Sequence, residues 1–112
     1  MNETILYPTI DIQGFRDLIS KVYSTPIAVV FTADWLGEGR LMDSIIEKLA
    51  GDFKTKLNFY RLDLGNTREF ASKWGIQHLP AVLFYEEGQI IDKVSGIVPK
   101  KVLCNRIRNI LN

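Results

Sequence analysis

The side chains of this 112-residue chain that could carry chemistry are few, and they include one thiol. Cys104 has no second cysteine with which to form an internal disulfide, and it lies within a helical stretch beside Leu103 and Ile107. A helix start would stabilise its thiolate; a mid-helix position predicts a structural, partly buried cysteine, a residue type often found inside. Asp34, Glu38 and Asp43 offer hard oxygen ligands, but their spacing is not that of a calcium loop, and acids at a helix start are explained by the helix dipole. Gly37 and Gly39 bracket Glu38 ahead of a helix, as an anion-binding turn would, yet the glutamate repels an anion and no phosphate-loop or dinucleotide glycine pattern accompanies it. Neither a metal nor a cofactor is expected from these residues.

Charge and hydropathy narrow the partners. Fourteen basic against thirteen acidic side chains leave a net charge of +1, too balanced for a nucleic-acid surface. Lys100-Lys101 with Arg106 and Arg108 read as the solvated face of a terminal helix. No apolar run approaches the ~18 residues of a membrane span, and Met1-Asn2-Glu3-Thr4 has no basic region followed by an apolar core, so the expected location is cytoplasmic. Length predicts one domain over residues 1–112.

The elements that must position these residues alternate between strand and helix patterns, the signature of an α/β layer structure. Phe15, Leu18, Ile19 and Val22 are helically spaced within Gly14 to Val22, and Thr25-Pro26 stops that helix. Ile27 to Phe31 is short and apolar throughout, as a strand buried on both faces should be. Leu41, Ile45, Ile46 and Leu49 mark a helix over Arg40 to Ala50, ended by Gly51-Asp52. A strand is expected over Leu57 to Leu62, then a helix opened by an Asn66/Glu69 capping box and running through Trp74 to Gly75. Ala81 to Tyr85 and Gln89 to Ser95 form a hairpin around Glu86-Glu87-Gly88, and Pro99 opens a last helix with Val102, Leu103, Ile107, Ile110 and Leu111 inward. With an edge strand at Thr4 to Tyr7, the order is βαβαβαββα.

That order resembles the thioredoxin family from end to end, and three landmarks sharpen the resemblance. Ala33-Asp34-Trp35-Leu36-Gly37-Glu38-Gly39 has the layout of the family's Trp-Cys-Gly-Pro-Cys segment, with Leu36 and Gly39 at the two thiol positions. Gly75-Ile76-Gln77-His78-Leu79-Pro80-Ala81 looks like the segment carrying the family's cis-proline, while Gly88 and Gly96 match its hairpin glycine and the glycine before the last helix. The resemblance implies a thioredoxin fold, a central mixed five-stranded sheet flanked by four helices, and a family role in redox homeostasis.

The resemblance also marks what has changed. Thiol-disulfide exchange uses an acidified thiolate and a resolving thiol, and neither matching position has sulfur. The family's buried carboxylate corresponds to Val30 and its lysine to Arg61. The chain is therefore expected not to be an enzyme. His78, placed near the site by the resemblance, lacks a nucleophile to serve and is expected to be a partly exposed loop residue. What carries over is the family's shallow peptide groove, here Trp35, Leu36, Gly37, Glu38 and Gly39 with Leu79, Pro80, Ser95, Gly96 and Ile97. The expected function is non-covalent binding of a protein or peptide client, as an adaptor or chaperone-like factor. The alternatives are a thiol-dependent redox role through Cys104, or a structural domain of a larger complex.

Overall fold

The computed structural model describes residues 5–22 and 25–112. Its centre is β2 (Ile27–Thr32), in which every residue is buried. A strand of that kind needs partners at both edges and cover on both faces, and it has them. It runs parallel to β3 (Asn58–Asp63) and antiparallel to β4 (Ala81–Glu86). The outer strands are β1 (Thr9–Ile10), parallel to β3, and β5 (Gln89–Ser95), antiparallel to β4, giving a five-stranded mixed sheet of order β1-β3-β2-β4-β5.

Because alternate strand side chains point to opposite faces, β2 supplies both halves of the core. Ala28 and Val30 pack with Met42, Ile46 and Leu49 of α2 (Gly37–Asp52) and Leu103 and Ile107 of α4 (Lys100–Leu111). Val29 and Phe31 pack with Phe15 of α1 (Ile12–Ile19) and with Phe70 and Ala71 of α3 (Glu69–Ser72). Phe15 is the hub of the second half, meeting Phe31, Phe70 and Trp74 edge-on at centroid distances of 5.4, 5.8 and 5.0 Å. This is the arrangement of sheet and four helices that the resemblance implied.

Several boundaries differ from the sequence reading for local reasons. The edge strand lies at Thr9–Ile10 rather than Thr4 to Tyr7, whose first residue is outside the described part. Tyr7 instead turns its ring onto α2, as described below. The first helix spans Ile12–Ile19, because the Asp11 carboxylate accepts the Gly14 N–H at 2.8 Å and caps it early, and Val22 is left 77% exposed beyond its end. α2 begins at Gly37, and it presents Met42 rather than Leu41 to the core.

The expected Asn66/Glu69 capping box does not form. Thr67, Phe70 and Ala71 donate backbone N–H groups three residues back, and only Glu69–Ser72 is α-helical, with no side-chain bond at its start. Successive tight turns let Phe70 and Ala71 reach Phe15 within a short connection. The β4–β5 hairpin closes with Glu87 and Gly88 both at positive φ, 51° and 83°, the mirror-image turn that matches strand twist and favours glycine at its second position. Among the described residues no helix is long and apolar enough to cross a membrane.

Candidate functional site

Three loops meet at one end of the sheet because of strand direction. β2 runs antiparallel to β4, so the exit of β2 lies beside the entry of β4, where Phe31 pairs with Ala81. Ala81 also pairs with Ser95, which brings the exit of β5 to the same end. The Trp35 loop, the Leu79-Pro80 loop and the Gly96 loop therefore converge, and the Gly96 N–H donates to the Pro80 carbonyl at 2.7 Å. The Leu79-Pro80 peptide bond is cis.

The Trp35 loop is built by short backbone bonds. Leu36 N–H donates to Ala33 O and Gly39 N–H to Leu36 O, each at 3.0 Å, and Leu36 then caps α2 with no side-chain hydrogen bond. Trp35 is 54% exposed, yet its indole is oriented: Nε1–H donates to the Gly65 carbonyl at 2.8 Å, and the Arg68 guanidinium lies 5.8 Å from the ring centroid. Of the expected groove residues, Trp35, Gly37, Glu38, Ser95 and Ile97 are exposed, Leu36, Leu79 and Gly96 are half-buried, and Gly39 and Pro80 are buried.

Gly39 is buried against a residue the sequence reading did not single out. Thr32, the last residue of β2, is fully buried, and its hydroxyl has no hydrogen-bond partner among the described residues. A Cβ added at Gly39 would stand 2.5 Å from that hydroxyl oxygen. The signal in the sequence was a single hydroxyl ending an otherwise apolar strand.

Arg61 and Asp43 also matter more than their sequence positions suggested. In the β2–β3 register Arg61 lies beside Val30, which is fully buried and offers it no charge. The guanidinium turns outward instead: Nε donates to Asp43 at 3.1 Å and Nη2 to Asp34 at 2.9 Å. The Tyr7 hydroxyl donates to the same Asp43 at 2.8 Å. Asp63, two residues after Arg61 and so on the same face, accepts the Asp34 and Gly65 N–H groups at 3.3 and 3.0 Å.

Ionisation follows these contacts. The hydrogen bond from Arg61, and after it a side-chain hydrogen bond with Asp63, hold the Asp34 carboxyl below the usual carboxylate range. Burial, reinforced by the Asp43 charge and hydrogen bond, pushes the Tyr7 phenol above its ordinary value. Asp34 and Asp43 are thus committed to Arg61, and among the described residues no group of His, Cys, Asp and Glu is disposed to hold a metal ion. His78 is exposed. Cys104 is a free, half-buried thiol packed against the α2 face of the core.

Comparison with known proteins gives this geometry a context. A family model described as Thioredoxin matches residues 7–109. The chain is 37% identical over 83 residues to "Thioredoxin M-type, chloroplastic" of Pisum sativum, covering 74% of this chain and 48% of that protein. It is 34% identical over 83 residues to the thioredoxin of Griffithsia pacifica, covering 74% and 76%, and 33% identical over 88 residues to that of Staphylococcus aureus, covering 79% and 85%. The chain spans about half the length of the pea relative and 45% of the related Arabidopsis thaliana protein. These names correct one expectation: the chain was read as no enzyme, whereas its relatives are named thioredoxins, which are redox enzymes.

Proposed function

This chain belongs to the thioredoxin family, as the match over residues 7–109 shows, and on that premise we propose that it binds an extended segment of a client protein non-covalently across the Trp35, Leu79-Pro80 and Ser95-Gly96-Ile97 loops, as an adaptor or chaperone-like factor. The observation that carries this reading is the state of Trp35: a large aromatic surface, half in solvent, on the loop after β2 and held in one orientation by its N–H bond to the Gly65 carbonyl. An oriented exposed aromatic spends little entropy on contact and suits a binding anchor. Leu36 adds apolar surface where the family has a nucleophile, and with no sulfur at 36 or 39 the contact made there is non-covalent.

The test is a displayed library of extended peptides selected on the native protein and counter-screened on a Trp35→Ala, Leu79→Asp variant. Peptides retained by the native protein and lost by the folded variant support the groove; equal retention places binding on another face and overturns it.

A second reading is favoured by the relatives' names. Cys104 is the chain's one thiol, so disulfide chemistry would run there. Its thiolate would attack one sulfur of a glutathione or protein disulfide, forming a mixed disulfide while the second sulfur leaves as a thiolate and takes up a proton. Incubation with glutathione disulfide followed by intact mass measurement decides it: an adduct lost in Cys104→Ser supports this route, and an unmodified folded protein removes it.

A further inference from the structure

We propose that Arg61 is the positioning residue of the Trp35 loop, clamping Asp34 to α2 through Asp43. Its importance for ligand binding rests on the groove reading above; the clamp itself does not.

The geometry has three parts. Asp34 immediately precedes Trp35; its backbone N–H is held by Asp63 at 3.3 Å, but its carboxylate is 77% exposed and is not fixed by packing. Arg61 supplies what packing does not: its side chain is only 15% exposed, it issues from the interior strand β3, and its fork holds Asp34 with Nη2 while Nε holds Asp43 of α2. A planar guanidinium can grip two carboxylates in fixed directions, which a single ammonium nitrogen does less well. The Tyr7 hydroxyl on Asp43 then steadies the inner end of the clamp.

This arrangement depends on Val30. A carboxylate there would lie beside Arg61 in the register and draw the guanidinium inward; valine leaves Arg61 free to reach the loop.

The experiment follows the solvent-exchange rate of the Trp35 indole N–H by NMR in native protein, Arg61→Met, Asp34→Asn and the double variant, with the amides of Val29 and Phe31 in β2 as internal references. Loss of a partly exposed ion pair corresponds to about a fivefold faster indole exchange in each single variant, with the reference amides unchanged and the double variant no faster than Arg61→Met. Native-rate indole exchange in folded Arg61→Met overturns the clamp. Acceleration of indole and reference amides by the same factor also overturns it, since that is general destabilisation. Asp34→Asn changes only an exposed side chain, so it keeps the test available if Arg61→Met fails to fold. The readout needs no ligand: failure of peptide selection removes the groove reading and leaves the clamp standing or falling on exchange alone.

Discussion

The Thr32 hydroxyl stands 2.5 Å from the point a Cβ at Gly39 would occupy. The space a side chain at Gly39 would need is taken by the end of β2. Glycine is the residue that fits, because it alone adds no atom toward Thr32.

Gly39→Ala should destabilise the fold by about 1–3 kcal/mol, the usual penalty for overpacking a tight interior. Thr32→Ala in the same chain should recover most of that loss, because it removes the obstructing oxygen. Urea unfolding of both single variants and the double variant checks this; an additive cycle would show that the two sites do not communicate.

Thr32→Val should raise stability by about 1 kcal/mol. The hydroxyl is buried without a partner among the described residues, and replacing an unpaired polar group by an apolar one of similar shape removes its desolvation cost. A midpoint in urea that stays the same or falls would show that the hydroxyl is satisfied in solution.

Acid should loosen the Trp35 loop before it unfolds the protein. Asp34 is held below the usual carboxylate range, so the folded state binds fewer protons there than the unfolded chain, and the stability this contributes is full above the ordinary value of about 4 and lost as pH falls through the lowered one. Trp35 fluorescence should change in that acid window in the native protein and be flat across it in Asp34→Asn.

Alkali should act through Tyr7. Its folded pKa lies above the ordinary value, so its stabilising effect is present below about pH 10 and is lost as pH rises toward the raised value. Tyr7→Phe, which cannot ionise beside Asp43, should unfold at higher pH than the native protein, as followed by circular dichroism.

Val30→Asp should cost about 3 kcal/mol, because it places a carboxylate among Ala28, Met42 and Ile46 where only Arg61 can answer it. The same variant should speed Trp35 indole exchange by drawing Arg61 from Asp34. A variant as stable as the native protein would show that the strand interior still accommodates an acid.

The sequence by itself determined the framework. Ile27 to Phe31 is short, largely β-branched and apolar at every position, as a central strand is, and Phe15, Ile46, Leu103 and Ile107 mark the helix faces that cover it. It also determined that no sulfur stands at 36 or 39, since that is a matter of identity, not conformation. Hydrophobic periodicity is local, so these features are read within a window of a few residues. The α3 region was misread because a capping pattern at Asn66 and Glu69 was outweighed by the need to bring Phe70 onto Phe15. Only the tertiary structure decided that Thr32 fills the space beside Gly39, and that Arg61 gathers Asp34 and Asp43 with Tyr7 behind them. Those relations join residues far apart in the chain, and a strand register and a helix rotation must both be known before such side chains can be seen to meet.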